Sequence, residues 1–213
     1  MAINYWHEYE EDFYYHLYNR CVSGVNIFET EDNCQFFLEK FKRYLTSFIS
    51  VSAFCLMPNH FHFLIRVKRR SELDFNTINF NESKKLRLFL KNEIGINELI
   101  EDQFRRLFSS FALRYNKING RRGAIFTERM KRISLHSEIK ILDLLCYIHH
   151  NPIYHEFASN YISWKYSSYN SFLSESYWFA GQKELMVLHL KSLNEFKEIH
   201  HEYQHIIKEG FEG

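Results

Sequence analysis

His60 and His62 stand two residues apart in Pro58-Asn59-His60-Phe61-His62-Phe63-Leu64-Ile65-Arg66, a segment with the composition of a β-strand. Successive strand side chains point to opposite faces, so His60, His62 and Leu64 share one face and Phe61, Phe63 and Ile65 the other. Two imidazoles so placed can converge on one ion, although a bare pair also fits a partly exposed strand face. Val51 to Met57 upstream is strand-like as well. The turn signal Met57-Pro58-Asn59 therefore puts the pair at the start of the second arm of a hairpin.

A second chemical pairing lies far along the chain. Ser137 to Pro152 reads as a helix, with Ser137 as N-cap and a broad apolar stripe of Ile141, Leu142, Leu144, Leu145, Cys146 and Ile148. Tyr147 and Asn151 fall one turn apart on the other side and point the same way. A phenol and a carboxamide presented to a His-x-His pair form a coherent site. It would hold a hard divalent cation on two imidazole nitrogens and an amide oxygen, beside an oxygen nucleophile. The same two residues also read as a half-buried aromatic and a cap before the helix-stopping Pro152.

The elements that must position these groups follow in the order strand (Phe13 to Val22), helix (Thr30 to Ile49), strand (Val51 to Met57), strand (His60 to Val67), helix (Ile96 to Ile118), strand (Ala124 to Leu135) and helix (Leu142 to Asn151 with its N-terminal turn). This βαββαβ order describes an α+β ferredoxin-like sandwich with an antiparallel sheet, plus an extra helix carrying Tyr147. Residues 68–95 read as an insertion, with a short helix over Ser83 to Ile94. Residues 13–170 are expected to form the catalytic domain and 171–213 a helical extension containing one amphipathic helix, Glu184 to Lys208. His201 and His205 in that helix have i, i+4 metal spacing but no evident third ligand, so an exposed helix end is the simpler account.

At 213 residues, with seven Gly and two Pro, the chain has length for one substantial core and nothing resembling a flexible linker. Aromatics make up 18% of residues, which implies an aromatic core or spare rings for stacking on bases. Cys21, Cys34, Cys55 and Cys146 are widely spaced, the N-terminal residues are polar, and no apolar run approaches the ~18 residues that span a bilayer. A cytoplasmic protein with reduced thiols and no membrane role is expected. Net charge is only +1, yet Gln103 to Arg132 holds nine basic side chains (Arg105, Arg106, Arg114, Lys117, Arg121, Arg122, Arg129, Lys131 and Arg132) against one acid, Glu128, a local charge of +8. Such a run is a phosphate-binding footprint or a solvated face.

Leu56-Met57-Pro58-Asn59-His60-Phe61-His62, followed by Tyr147-Ile148-His149-His150-Asn151-Pro152, resembles the HUH-type single-tyrosine transposases of small bacterial insertion sequences, especially those associated with repetitive extragenic palindromes (REP). Tyr14 to Arg20 resembles the family's opening strand ending in Asn-Arg. Gly123-Ala124-Ile125-Phe126 through Arg132 resembles its Gly-x-hydrophobic-Phe strand, and Trp164-Lys165-Tyr166-Ser167-Ser168-Tyr169 its Trp-x-x-Ser-Ser-Tyr tail. The resemblance runs from about Tyr14 to Tyr169. It implies the same ferredoxin-like fold and a metal-dependent transposase or nickase that cleaves and rejoins single-stranded DNA through a 5′-phosphotyrosine link. Tyr147 would be the nucleophile, with His60, His62 and Asn151 holding Mg²⁺ or Mn²⁺. The partner implied is single-stranded DNA folded into a palindromic hairpin, met by a monomer or homodimer that joins the nucleoid when DNA-bound. The nine basic residues are the candidate DNA surface, and Trp164, Tyr166 and Tyr169 are either stacking rings or a tail packed back on the domain. Two other readings stay open at this point: a catalytically silent hairpin-binding descendant, and an unrelated metal-dependent hydrolase in which Tyr147 is structural. The second would be favoured by an activating carboxylate near the histidines, and none lies close in sequence.

Overall fold

The computed structural model describes residues 6–78 and 82–211; residues 79–81 of the expected insertion and 212–213 of the expected extension lie outside it. Four strands, β1 (Tyr14–Arg20), β2 (Ile49–Met57), β3 (His60–Val67) and β4 (Lys131–Leu135), form one antiparallel sheet in the order β2-β3-β1-β4. Helix α1 (Glu31–Leu45) joins β1 to β2. The chain between β3 and β4 carries α2 (Lys84–Leu90) and α3 (Ile96–Ile118). This is the ferredoxin-like arrangement, an α+β sandwich, expected from the sequence.

Alternation along the strands divides the molecule into two cores. Tyr15 and Leu17 of β1 and Phe61, Phe63, Ile65 and Val67 of β3 face α1 and α3 in the first. Most of the aromatic content is spent here: Phe41 stacks on Phe63 at 4.4 Å between centroids, and Phe37 meets Phe61 at 5.4 Å and Phe111 at 5.3 Å. Ala53, Cys55, Met57 and Leu64 face the second core, built with α4 (Glu138–Tyr154), α5 (Tyr169–Leu173), α6 (Ala180–Leu188) and α7 (Leu193–Phe211). The four cysteines are buried free thiols. Among the described residues no helix is long and apolar enough to cross a membrane.

Helix starts follow local chemistry. The Thr30 side chain accepts from Asn33 N at 3.3 Å to open α1, and Ser137 Oγ accepts from Lys140 N at 3.4 Å to open α4. Several boundaries differ from expectation. Helix α1, expected to run to Ile49, ends at Leu45 so that Ile49 opens β2, and the short helix expected to reach Ile94 ends at Leu90. Helix α4 continues through Pro152 to Tyr154, because proline forfeits only one N–H near the helix end; Glu156, at φ +59°, then stops it while Phe157 and Ala158 donate to Pro152 O. The single helix expected over 184–208 is two, interrupted at residues 189–192, where Ser192 Oγ accepts from Glu195 N to start α7 afresh. The strand expected over 124–135 is regular only from Lys131. Its earlier part meets β1 at one bridge, Cys21 to Phe126, and residues 128–130 bulge away.

Candidate active site

The register of the sheet builds the site. Arg20 lies opposite His60 and Tyr18 opposite His62, so His16, Tyr18, Arg20, His60 and His62 share the face covered by α4. His16 Nε2 and His62 Nδ1 are 2.8 Å apart and share one proton in a ring-to-ring hydrogen bond. Tyr18 stacks on His16 at 4.7 Å and on His62 at 5.7 Å. Helix α4 packs across β2 and β3, and its Tyr147 ring meets His62 edge-on at 5.5 Å and His16 at 5.9 Å. Tyr147 is 39% exposed and Asn151 only 2%, so the phenol is open to a ligand while the amide is held inside. Asn151 Nδ2 donates to Tyr147 O at 2.8 Å.

The extra turn of α4 beyond Pro152 brings in His155, whose ring meets that of His60 at 4.9 Å. Sequence reasoning singled out His60, His62, Tyr147 and Asn151 but passed over His16, Arg20 and His155. The i, i+4 rule that joined Tyr147 to Asn151 extends one turn further to His155. His16 becomes a neighbour of His62 only through strand pairing.

Electrostatics keeps the imidazoles neutral. Burial pushes His16 down to about 3. Burial, then the neighbouring His155 and Arg20, pushes His60 down to about 4. His62 is held well below its ordinary value by burial and by the three histidines around it. Burial raises the Tyr147 phenol, and a hydrogen bond from Asn151 opposes that rise.

Neutral imidazole is the form that ligates a cation, and a ligating ring is oriented by a bond from its other nitrogen. His60 Nδ1 lies 2.6 Å from Asn59 Oδ1, which leaves Nε2 as its donor atom. His16 occupies His62 Nδ1 in the same way, and the Asn151 amide nitrogen is engaged by its own helix, leaving Oδ1. The donor chemistry therefore suits a cation on His60, His62 and Asn151. Among the described residues no three His, Cys, Asp or Glu side chains are grouped to hold a metal ion, so any such site depends on the amide as third donor.

The expected basic surface is largely neutralised. Arg105 pairs with Asp102 at 2.5 Å and Arg106 with Glu82 at 3.3 Å, while Arg114 meets Asp32 and lies over the Phe36 ring. Arg129 meets Glu101, Lys131 meets Glu128 at 3.3 Å, and Arg132, 4% exposed, is bound by Glu101 at 2.8 Å and the His7 carbonyl. Arg121 Nη2 donates to Ala124 O. Of the nine, Lys117, Arg121 and Arg122 have no carboxylate partner among the described residues, and they cluster where α3 ends in the Gly120 and Gly123 turn.

The aromatic tail packs back on the domain. Trp164 Nε1 donates to Leu56 O at 2.9 Å, Tyr169 is buried, and Leu56 N donates to Tyr166 O. In α7, His201 and His205 form an exposed pair 3.3 Å apart. A buried histidine pair ties α4 to that element: His149 Nδ1 lies 2.8 Å from His200 Nε2, and His149 Nε2 lies 2.7 Å from Ser168 Oγ.

Fold and site together define a mixed α/β protein with a tyrosine helix laid across a histidine-bearing antiparallel sheet. A solved structure described as a REP-associated tyrosine transposase bound to a REP hairpin has a similar fold, with a TM-score of 0.56 at 13% sequence identity over 83% of this chain and 88% of that one. No protein-family model matches the sequence, and no curated protein matches it.

Proposed function

We propose that this protein cleaves and rejoins single-stranded DNA at hairpin-marked sites by transesterification at Tyr147. The observation that carries this reading is the half-exposed Tyr147 ring set edge-on against the His16–His62 pair. The fold it shares with a hairpin-bound tyrosine transposase supports the same reading. His60, His62 and Asn151 would hold Mg²⁺ or Mn²⁺, which when bound neutralises charge on the scissile phosphate.

The chain's own residues account for the remaining chemistry. The Tyr147 oxygen forms its bond to phosphorus as the bond to the 3′ oxygen breaks, and that oxygen leaves with a proton as a free 3′-OH. A phosphotyrosine ester replaces a phosphodiester, so attack by a different 3′-OH can reverse the step and join strands. Burial opposes loss of the phenolic proton, and the Asn151 hydrogen bond is the protein group that favours it. Arg20, exposed at the end of β1 beside His60, can meet the backbone phosphates.

The test is a 5′-phosphotyrosine adduct between the full chain and a hairpin oligonucleotide, resistant to detergent. Tyr147→Phe should abolish the adduct and leave hairpin affinity within about twofold, since only the attacking oxygen is lost. An adduct that persists in this variant rejects the assignment. The neighbour's hairpin-bound structure also fits one other reading, a hairpin-binding protein that does not cut; tight binding without any adduct in the unsubstituted protein would establish it.

A further inference from the structure

The bulge that interrupts β4 opens a cavity on the opposite face of the sheet from Tyr147. Residues 125–127 pair with the end of β1 through Val22 N to Ile125 O and Thr127 N to Arg20 O, and regular pairing resumes only at Lys131. Between them the Asn19 side chain stands in for the missing ladder, donating to Glu128 O at 3.2 Å and accepting from Arg20 N at 2.9 Å. The space left between the bulge and α3 is a cavity of about 520 Å³, within the ~300–1,000 Å³ typical of small-ligand sites.

Its walls are aromatic and soft. Phe104 stacks on Phe108 at 6.0 Å, Phe108 meets Phe126 edge-on at 5.0 Å, and Met130 lies alongside. Two polar groups stand out there. The Tyr9 hydroxyl is buried beside the Arg132 guanidinium, which lies over its ring 4.4 Å from the centroid. Glu98, exposed in the first turn of α3, has no cationic partner among the described residues, whereas Glu101, Asp102 and Glu128 are each bound to a cation.

We infer that this cavity holds one unstacked nucleobase of the DNA strand whose phosphate lies at Tyr147; the inference rests on the function proposed above. Flat aromatic walls accept the face of any base, and a free carboxylate accepts from an exocyclic amine, which carries two N–H donors where thymine offers only its single N3–H. Adenine, cytosine and guanine are therefore preferred over thymine as the occupant. Asn19 and Arg20 are consecutive on β1 and point to opposite faces, so a strand crossing the end of the sheet meets the cavity on one side and the histidines on the other.

Met130 lines the cavity and gives a local reporter. Full-length protein carrying ¹³C-methyl methionine is titrated with dAMP, dCMP, dGMP, dTMP and 2-deoxyribose 5-phosphate. The Met130 methyl signal should move saturably with the three amino-bearing nucleotides, about tenfold more weakly with dTMP, and not with the sugar phosphate, while Met186 stays still. Glu98→Gln, an exposed substitution, should bring dTMP level with the others. A Met130 signal unmoved by millimolar nucleotide, or moved equally by the sugar phosphate, overturns the inference. Adduct formation on a hairpin oligonucleotide, measured on the same samples, separates the two readings: titration without adducts removes the transesterase and keeps the cavity, and adducts with a silent Met130 do the reverse.

Discussion

His16 Nε2 and His62 Nδ1 lie 2.8 Å apart across the β1–β3 pairing, so a residue on the central strand fixes the ring of a proposed ligand on its neighbour. His62 has Tyr18 stacked on one side and Tyr147 at its edge, which leaves Nε2 as its only nitrogen open to a ligand. In the proposed reaction His16 would act by orientation rather than by contact with the reacting atoms.

His16→Ala should lower cation-dependent cleavage about 10- to 100-fold, the range for losing a partner behind a ligand, and should raise the Mn²⁺ concentration needed for half activity. His16→Asn should recover part of the loss, because an amide can occupy His62 Nδ1. Equal activity in wild type and His16→Ala at limiting Mn²⁺ would remove the orienting role.

Acid should destabilise the fold through its buried imidazoles. His149 and His62 are held well below 6.5, His200 at about 4 and His16 at about 3, chiefly by burial. Each ring stays neutral in the folded protein but binds a proton below about pH 6.5 once unfolded, so the unfolded chain takes up more protons as pH falls. Stability is complete above 6.5 and declines toward pH 4, by up to about 1.4 kcal/mol per pH unit for each ring. Thermal melting between pH 7.5 and 4.5 measures this, and a flat Tm over that range would contradict it. His200→Gln should reduce the slope.

Salt dependence should be modest. The six guanidinium or ammonium groups already bound to carboxylates release few counterions, leaving Arg20, Lys117 and Arg122 as the exposed candidates for phosphate contact. With about three phosphates neutralised and a single-strand slope near −0.7 per contact, log affinity should fall about two units per tenfold rise in salt. Replacing Lys117 and Arg122 by Ala should flatten the slope by about 1.4 units if both touch phosphate. Arg132→Ala should instead lower stability with the slope unchanged. A slope near zero for the unsubstituted protein would leave the basic run without a role in binding.

Gly181 marks where α6 docks on β2. A Cβ there would collide with Ser50 Oγ and stand 2.6 Å from Val51 O and 2.7 Å from Val51 N. Gly181→Ala should therefore cost about 1–3 kcal/mol, read as a lowered urea midpoint, despite alanine's better helix propensity. An unchanged midpoint would mean that α6 can shift away from the sheet freely.

The parts of the site set by local periodicity were legible in the sequence, and those set by pairing between distant segments were not. His60 with His62 and Tyr147 with Asn151 follow from periods of two and 3.6 residues within one element. His16 needed the β1–β3 register. The ion pairing of the basic run was hidden for a related reason: Asp32 and Glu82 come from other segments, and Glu101 and Asp102 lie just before its first residue, so their neutralising role emerges only when α3 is built. The β4 break was hidden because Ala124 to Leu135 reads as one strand, and the pairing of Cys21 with Phe126 but Tyr18 with Lys131, with Asn19 bonding to Glu128 O between them, reveals the bulge. In the C-terminal region the amphipathic pattern crosses residues 189–192 without interruption, and the Ser192 cap divides it.

The segment around Ser167 has a consequence for association. All nine residues of β2 are buried, yet β2 is an outer strand whose free side is met by Tyr166 O and Ser168 N, at Leu56 N and Phe54 O. At the opposite margin Trp6 bridges Arg132, and His7 takes the Ser134 amide. The chain thus closes its own sheet at both borders with short irregular stretches from far along the sequence. A copy cut before Tyr166 would offer a long apolar strand with vacant hydrogen-bonding groups to any other copy, and strand-to-strand polymerisation would compete with folding. The residues that most resemble a spare aromatic tail thereby act as a guard against aggregation.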